Sequence, residues 1–225
     1  MNQITVNSEP GTWKDFNMNN FTLVNNPLVK CDVTRLRDKN TREDEFRNSI
    51  KRISYSLAIE ISNFFELEEF PVETPLEQTT GHRLKHQVVL VPVLRAGLSM
   101  VNAFIDVMPD AKVGHIGLQR DEKTLQPIDY YYKTPKGLDT AKVILLDPML
   151  ATGGSASAAI RYLKERGARN CLFGCLIAAP QGIRKIENDH PEVKIFCSVL
   201  DRSLNEKGYI VPGLGDAGDR TYGTL

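Results

Sequence analysis

The residues most suited to chemistry in this sequence lie in one stretch, residues 143–155, which reads V-I-L-L-D-P-M-L-A-T-G-G-S. Its apolar start predicts a buried strand that ends at Asp147 and Pro148, and a helix can begin near Thr152-Gly153-Gly154-Ser155. Small residues let backbone N–H groups approach a phosphate, and a helix N-terminus adds unpaired donors and partial positive charge. The stretch therefore predicts an anion-binding loop, with the Asp147 carboxylate placed to accept hydrogen bonds from hydroxyl groups.

Strands and helices that alternate along the chain are expected to position this loop. From residue 87 onward, short apolar runs are separated by helix-like segments. This alternation predicts βαβ units, a parallel sheet and right-handed crossovers, and therefore the α/β fold class. The predicted strands are residues 87–94, 112–118, 142–146, 170–179 and 193–199, and the predicted helices are residues 97–107, 155–166 and 180–188.

Ligands of parallel sheets bind beyond the carboxyl ends of the strands. Polar side chains follow several of the predicted strands, and we expect four of them to gather in one crevice. These four are Arg95, Arg120, Asp147 and Gln181.

The segments before residue 87 give weaker patterns. Residues 1–40 are polar and contain several turn-forming residues, which predicts an irregular arm. A helix is predicted to begin at Thr41, which can cap it, and to end before Pro71, because apolar residues recur there at spacings of three and four. Residues 70–81 predict a loop or a short edge strand.

Two irregular segments accompany the alternating part of the chain. Residues 119–136 contain many charges, three successive tyrosines and two prolines, which predicts a flexible hairpin or lid. Residues 208–220 read G-Y-I-V-P-G-L-G-D-A-G-D-R, and their glycines and proline argue against regular structure.

Composition argues against several classes of protein. The chain has 225 residues, 28 basic and 28 acidic side chains, and 41% hydrophobic residues, which suits one α/β domain. The neutral balance gives no electrostatic basis for binding DNA or a membrane surface. No apolar run reaches the roughly 18 residues that suggest a membrane span, and the N-terminus lacks a signal-peptide pattern. We therefore expect a cytoplasmic protein with neither DNA nor a membrane as partner.

Three of the four cysteines, Cys171, Cys175 and Cys197, are expected in the core. Cys171 and Cys175 have a spacing that can ligate a metal on a helix, but they lie in an apolar, strand-like run. Free cysteine is commonly a small buried hydrophobic residue. Burial is therefore favoured over a metal site or a disulfide framework.

The stretch at residues 143–155 resembles the 5-phosphoribosyl 1-diphosphate (PRPP) motif of type I phosphoribosyltransferases, in which an apolar strand and an acidic residue precede T-G-G-S/T. It departs from the general pattern at one position. Most members carry two adjacent acidic residues, whereas Pro148 follows Asp147 here. The proline removes one carboxylate and one backbone donor.

Further motifs narrow the resemblance to uracil phosphoribosyltransferases. They are L-R-D-K-N-T at residues 36–41, V-P-V-L-R-A-G-L at 91–98, Q-R-D-E at 119–122, and the segment at 208–220. Together with D-P-M-L-A-T-G-G-S they follow the order of that family and cover roughly residues 26–225. The resemblance implies a type I phosphoribosyltransferase-like fold: a central, mainly parallel sheet flanked by helices, with a flexible hairpin lid and a small hood from the terminal segments.

The resemblance also implies an organisation and a reaction. The organisation is one domain over residues 1–225, with an N-terminal extension at 1–25, a hairpin lid at 119–136 and a base-binding segment at 201–225. The reaction is the pyrimidine-salvage step in which uracil and PRPP give UMP and diphosphate, with Mg²⁺ as cofactor. A homo-oligomer, either a dimer or a tetramer, is implied as well, and GTP activates some members of the family.

The same resemblance assigns roles to individual residues. PRPP binding falls to Arg95, Arg120, Asp216 and the run Asp147, Pro148, Met149, Leu150, Ala151, Thr152, Gly153, Gly154 and Ser155. Uracil binding falls to Ile210, Gly215, Asp216 and Ala217, through main-chain groups. The catalytic candidates are Arg95 and Arg120, which would stabilise the leaving diphosphate, and Asp216, which would orient PRPP or hold its Mg²⁺ directly or through water.

Simpler alternatives remain for each of these assignments. Gly153-Gly154 also fits a plain strand-to-helix turn, Arg95 a structural ion pair, Arg120 a solvated loop, and Asp216 a turn cap. For the whole chain, the alternatives are a non-catalytic regulator that senses PRPP or a nucleotide on the same fold, and an enzyme that uses a different base. An assay with PRPP and each nucleobase distinguishes these functions.

Overall fold

One large sheet and two smaller ones contain the strands of the described chain. The computed structural model describes residues 20–120 and 127–224, without the side chains of residues 118–120 and 127–130. The strands are β1 (Phe21–Leu23), β2 (Leu67–Glu73), β3 (Gln78–Leu84), β4 (Val88–Leu94), β5 (Lys112–Val113), β6 (His115–Arg120), β7 (Pro127–Lys133), β8 (Lys142–Leu146), β9 (Met149–Leu150), β10 (Asn170–Ala178), β11 (Lys194–Leu200), β12 (Ser203–Leu204) and β13 (Ile210–Val211). The helices are α1 (Pro27–Arg37), α2 (Glu43–Ser62), α3 (Leu98–Val107), α4 (Gly154–Glu165), α5 (Pro180–Asp189) and α6 (Ala217–Tyr222).

The large sheet is parallel apart from one antiparallel pair. Over the described ranges, its strand order is β1-β11-β10-β8-β4-β6-β7, with β5 beside β4 and β9 beside β10. Strands β6 and β7 form the antiparallel pair. The chain leaves β4 toward β6 on one side and later returns as β8 on the other side, so the strand order reverses between β4 and β8. Ligands of α/β sheets bind at such a reversal, beyond the carboxyl ends of the strands.

Apolar side chains cover both faces of this sheet. In β4, Val88 and Leu90 belong to one buried cluster, which includes residues of α1, α2 and α3. Val89 and Val91 belong to the other cluster, which includes residues of α4 and α5. A strand that is buried on both faces needs a continuous apolar run, and this explains the sequence V-V-L-V-P-V-L of β4. Helices packed on both faces hold the strand ends in fixed positions relative to one another.

The alternation predicted after residue 87 is confirmed. Strands β4, β8, β10 and β11 and helices α3, α4 and α5 differ from their predicted bounds by at most one residue. The strand predicted at residues 112–118 is divided at Gly114 into β5 and β6. Cys171 and Cys175 lie buried in β10, so their predicted burial is confirmed as well.

The prediction of an irregular arm before residue 40 is wrong within the described residues, because β1 and α1 lie there. The side chain of Asn26 accepts a hydrogen bond from the backbone N–H of Leu28 (2.8 Å), which caps α1. Pro27 occupies the first helical position, where its missing N–H costs nothing. Residues 1–19 of the predicted N-terminal extension lie outside the described chain.

Helix α2 begins two residues later than predicted, at Glu43, and ends before Pro71 as predicted. Thr41 does not cap it. The Thr41 hydroxyl instead donates to the backbone oxygen of Arg35 near the end of α1 (2.6 Å). This hydrogen bond joins α1 to the start of α2.

The prediction of a loop or short edge strand at residues 70–81 is wrong, because β2 and β3 form a separate antiparallel hairpin. Its turn is fixed by the Thr74 hydroxyl, which accepts hydrogen bonds from the N–H groups of Leu76 (3.2 Å) and Glu77 (3.0 Å). Pro71 is tolerated within β2 because a two-stranded hairpin leaves one edge of each strand unpaired.

Residues 203–222, which we call the hood, contain more regular structure than predicted. Strands β12 and β13 pair antiparallel, and α6 follows them, capped by the side chain of Asp216. The predicted hairpin at residues 119–136 agrees with the antiparallel pairing of β6 and β7. Residues 121–126 of that hairpin lie outside the described chain, and its action as a lid stays a prediction, as does the division of the domain.

Candidate active site

Two adjoining clefts lie where the loop after β8 meets the hood. The loop cleft, about 410 Å³, is bounded by the 149–156 segment and by residues 206–208. The hood cleft, about 420 Å³, is bounded by residues 207–210 and 215–218. The two clefts share Asp147, Met149, Ala151, Lys207 and Gly208. A ligand with two dissimilar ends joined by a polar middle would fit across this shared wall.

The loop cleft contains most of the residues predicted to bind PRPP. They are Asp147, Met149, Leu150, Ala151, Thr152, Gly153, Gly154 and Ser155. The N-terminus of the 12-residue helix α4 is part of this wall. Because the first N–H groups of a helix have no intrahelical partner, the wall offers donors and partial positive charge to an anion.

Glycines at the start of α4 serve two different purposes. Gly153 has a φ of +80°, and a Cβ there would lie 2.8 Å from the backbone oxygen of Gly182. A Cβ on Gly182 would in turn lie 2.6 Å from the backbone oxygen of Ala151, so the loop and the start of α5 are in close contact. A Cβ on Gly154 would meet nothing closer than the Thr152 hydroxyl at 3.7 Å. The backbone conformation and the contact with α5 therefore require glycine at position 153. At position 154, the missing side chain instead leaves space open in the cleft.

Pro148 lies behind the loop cleft rather than in it. It is buried, and its backbone oxygen accepts hydrogen bonds from Leu176 (3.0 Å) and Ile177 (3.1 Å) of β10. Neither cleft includes Pro148 in its described wall. We therefore expect Pro148 to shape the loop by linking β8 to β9, and not to contact PRPP as the sequence suggested.

Asp147 is the acidic side chain common to both clefts. Its carboxylate is half-buried and accepts a hydrogen bond from the Met149 N–H (3.2 Å). Burial, joined by the negative charge of Asp216, raises the pKa of Asp147 to about 7, although the Met149 hydrogen bond acts in the opposite direction. Ligand hydroxyl groups or a cation near Asp147 would favour its ionised form.

Asp216 lies in the hood cleft and also caps α6. Its Oδ1 accepts a hydrogen bond from the backbone N–H of Asp219 (2.9 Å), as the simpler alternative predicted. The cap fixes the orientation of the carboxylate, and the charge of Asp216 reaches Asp147. The remaining residues predicted to bind uracil also lie in the wall of the hood cleft: Ile210, Gly215 and Ala217.

Arg95 follows β4 at the same end of the sheet but lies in the described wall of neither cleft. Its guanidinium forms an ion pair with Asp219 (3.0 Å), and its side chain is 57% exposed. Tyr222 donates a hydrogen bond to the Arg95 backbone oxygen (3.3 Å), and its ring lies 5.8 Å from the guanidinium. The predicted alternative of a structural ion pair therefore describes Arg95 in this structure.

Arg120 is the last residue of β6, where it pairs with Pro127 of β7. Its side chain lies outside the described part of the protein. Gln181 lies in the first turn of α5 and is exposed.

Three residues that the sequence analysis did not identify hold the hood in place. Asp201 is only 4% exposed. Its carboxylate accepts hydrogen bonds from the guanidinium of Arg37 (2.6 Å) and from the backbone N–H of Gly213 (2.8 Å). Arg220 donates to the backbone oxygens of Leu214 (2.7 Å), of Leu36 near the end of α1, and of Asp38 just after it (2.6 Å). Its guanidinium lies over the ring of Phe46 in α2. These contacts connect the hood cleft to α1 and α2.

The turn of residues 205–209 lies in the predicted base-binding segment, but none of its residues was assigned to the site individually. Glu206, Lys207 and Gly208 lie in the loop cleft, and Lys207 to Tyr209 in the hood cleft. The Asn205 side chain accepts hydrogen bonds from the N–H groups of Lys207 and Tyr209, both at 3.0 Å. The spacing of an asparagine and a glycine in N-E-K-G-Y indicates such a turn. Its closeness to residues 147–155 follows only from the fold.

No helix in residues 20–120 and 127–224 is long and apolar enough to cross a membrane.

Comparison with known proteins gives a consistent result. The family model described as uracil phosphoribosyltransferase matches residues 23–224. The uracil phosphoribosyltransferase of Salinibacter ruber is 50% identical over 92% of this chain and 99% of its own, and that of Finegoldia magna is 51% identical over 92% and 100%. The solved structure of the AQ2163 protein from Aquifex aeolicus superposes with a TM-score of 0.84 at 39% identity, over 90% of this chain and 97% of that one.

These matches confirm the predicted type I phosphoribosyltransferase-like fold, a mainly parallel sheet flanked by helices. The matches extend over almost the whole length of these relatives, and the family model spans both the loop after β8 and the hood. On this basis, the chain belongs to the uracil phosphoribosyltransferase family.

Proposed function

We propose that this protein transfers the 5-phosphoribosyl group of PRPP to uracil, with UMP and diphosphate as products. The observation that carries the proposal is the wall shared by the two clefts, in which Asp147 lies between an anion-binding loop and the hood cleft. A nucleoside monophosphate has its phosphate, its ribose hydroxyls and its base in that order. The order of groups along the shared wall matches it.

The loop cleft is the proposed site of ribose 5-phosphate. Backbone N–H groups at the start of α4 would donate to the phosphate, and the open side of Gly154 leaves room for its oxygens. Asp147 would accept hydrogen bonds from the ribose hydroxyls. Such bonds favour the ionised carboxylate, whose pKa of about 7 leaves both forms populated at neutral pH before the ligand binds.

The hood cleft is the proposed site of uracil. The edge of uracil alternates N–H and C=O groups, so it needs alternating acceptors and donors. Main-chain groups of Ile210 and Gly215 to Ala217 would supply them. Their positions are held by the contacts of Asp201 and Arg220, which makes a rigid backbone pocket suited to one base.

This reaction requires correctly positioned reactants and positive charge near the leaving diphosphate, rather than a strong general base. The bond between the anomeric carbon and diphosphate breaks, a bond to a uracil nitrogen forms, and the nitrogen loses its proton. We expect Arg95 and Arg120 to stabilise the departing diphosphate. The ion pair of Arg95 with Asp219 lies at the surface, where such pairs contribute little, so the guanidinium can exchange its partner readily.

The acidic side chains here fit the expected Mg²⁺. Asp147 and Asp216 are close enough for the charge of one to raise the pKa of the other, and carboxylate oxygens are ligands that Mg²⁺ accepts. The described residues contain no group of three or more side chains able to hold a metal ion. This suits Mg²⁺, which usually keeps waters and binds through one or two carboxylates and the substrate phosphates. When bound, Mg²⁺ offsets negative charge on the diphosphate.

The test is an assay of the purified protein with Mg²⁺ and PRPP and with uracil, cytosine, hypoxanthine or orotate in turn, with products separated by chromatography. We expect UMP with uracil and no nucleotide with the other bases. Product with another base would change the base assignment. PRPP binding without any product would instead favour the PRPP-sensing regulator.

Three further properties are proposed from family membership alone. They are assembly into a dimer or tetramer, activation by GTP, and a cytoplasmic location. Light scattering tests the first, and the same assay with added GTP tests the second.

A further inference from the structure

The loop cleft contains an unusual balance of charge for a phosphate site. Its described wall includes two carboxylates, Asp147 and Glu206, and one basic side chain, Lys207. A phosphate monoester carries a charge of about −1.5 to −2 at neutral pH, whereas a helix N-terminus supplies only about +0.5. Backbone donors alone would leave a phosphate dianion near two carboxylates with its charge largely uncompensated.

The neighbouring cations Lys185 and Arg95 lie outside the described wall of the loop cleft. The stem of Lys185 packs close to Gly153, but its ammonium group pairs with Asp189 (2.8 Å), and Lys185 is not part of the described wall of either cleft. Arg95 pairs with Asp219 and is absent from the same described walls. Lys207 is therefore the basic side chain best placed to meet a phosphate in the loop cleft.

Hydrogen bonds within the turn of residues 205–209 fix the position of the Lys207 backbone. The Asn205 side chain accepts the Lys207 N–H (3.0 Å), and the Asn205 backbone oxygen accepts the Gly208 N–H (2.9 Å). These bonds hold the Lys207 backbone at the edge shared by both clefts. Within residues 20–120 and 127–224, the Lys207 ammonium group takes part in no described ion pair or hydrogen bond, so the exposed side chain can reach a ligand.

We propose that Lys207 is a substrate-binding residue that supplies the cationic side chain of the 5′-phosphate subsite. The inference rests on the proposed function, because it takes the loop cleft as the site of ribose 5-phosphate. Lysine binds phosphate as a compact point charge on a flexible stem, which suits a cleft whose directional contacts come from backbone N–H groups. Lys207 then gives preference for 5′-phosphorylated ribose over ribose without phosphate.

Calorimetric titration with ribose 5-phosphate tests this assignment directly, without turnover. We expect Lys207→Gln to weaken binding roughly tenfold or more, as for a lost hydrogen bond to a charged group, and Lys207→Arg to stay within about threefold of the wild type. Lys30→Gln is the matched control, because Lys30 is an exposed lysine of α1 in neither described wall. In turnover, Lys207→Gln should raise the KM for PRPP and leave the KM for uracil near the wild-type value.

The outcomes separate the two proposals. If Lys207→Gln binds ribose 5-phosphate as tightly as the wild type and Lys30→Gln do, the assignment of Lys207 is wrong and the proposed function stands. If the wild type binds neither ribose 5-phosphate nor PRPP, both proposals fail. Equal losses in Lys207→Gln and Lys207→Arg, with unchanged melting temperatures, would also contradict a role for the positive charge.

Discussion

At the scale of a single residue, the ionised carboxylate of Asp147, which is proposed to bind ribose, reduces the stability of the folded protein. Its unfolded-state pKa is near 3.8, and burial with the charge of Asp216 raises its folded-state pKa to about 7. A raised pKa means that the folded state binds the proton more tightly than the unfolded state does. The resulting stabilisation is fully present below about pH 4 and is lost as the pH rises through 7. The ionised carboxylate that ribose needs is thus the less stable form of the empty site.

Asp147→Asn should therefore change stability and binding in opposite directions. At pH 8 we expect the variant to be more stable than the wild type by on the order of 1–3 kcal/mol, with a flatter dependence between pH 4 and pH 8. Its affinity for PRPP should fall about tenfold, because the amide loses a charge-assisted acceptor. Urea unfolding at several pH values and PRPP titration measure the two effects.

Asp139→Asn provides the control for this experiment, since Asp139 is exposed and outside both described walls. An identical pH dependence in Asp147→Asn and the wild type would show that the Asp147 carboxylate does not titrate with folding.

The two adjacent glycines at the start of α4 give a second prediction for single residues. Gly153→Ala should cost about 1–3 kcal/mol of stability, because its positive φ and the nearby Gly182 oxygen both oppose a side chain. Gly154→Ala should leave stability within about 0.5 kcal/mol of the wild type or raise it slightly, since its Cβ has room and alanine favours a helix. Only Gly154→Ala should then lose PRPP affinity while melting at the normal temperature.

Thermal unfolding and PRPP titration of both variants check this contrast. Normal PRPP binding by Gly154→Ala would mean that the open side of Gly154 does not face the bound phosphate.

At the scale of elements, the hood depends on α1 and α2 for its position. Strands β12 and β13 contain two residues each, too few to hold a loop by backbone pairing alone. The ion pair of Arg37 with Asp201 and the hydrogen bonds of Arg220 provide the missing restraint. The hood is thus positioned by long side chains that bridge segments far apart in sequence.

Asp201→Asn should therefore impair uracil use more than PRPP use. The amide keeps the shape of the side chain but weakens the bonds to Arg37 and to the Gly213 N–H, at a cost of about 1–3 kcal/mol. We expect a raised KM for uracil with little change in the KM for PRPP, measured by steady-state kinetics. Asp110→Asn, at an exposed position of the α3–β5 connection, is the control. Equal increases in both constants would indicate a general loss of structure instead.

At the scale of the whole molecule, the sequence predicts the sheet well and the hood poorly. Strands such as β8 can be predicted from their local sequence, because burial on both faces demands an uninterrupted apolar run such as V-I-L-L. Helix α1 was missed because charged residues are interspersed among its three buried apolar residues, Val29, Val33 and Leu36. The contact of Arg220 with the backbone oxygen of Leu36 joins residues 184 positions apart, and no local pattern reveals it.

The same division holds for the candidate site. The loop at residues 147–155 was predicted because its glycines and acidic residue form a contiguous motif. Lys207 was not, since a lysine in a polar turn has no distinguishing pattern until the fold brings it beside that loop. The ion pair of Arg95 with Asp219 likewise joins two residues whose charges match many other partners in the sequence.

The close contact of Gly153 and Gly182 determines which wall of the loop cleft can move. The start of α5 packs directly against the 151–154 segment, so this segment has no room to move outward for a larger ligand. The opposite wall, the turn of residues 205–209, is exposed at Asn205, Glu206 and Lys207, and the hydrogen bonds described for Asn205 lie within the turn itself. If the cleft tightens around a bound phosphate, we therefore expect the turn of residues 205–209 to move more than the 151–154 segment does.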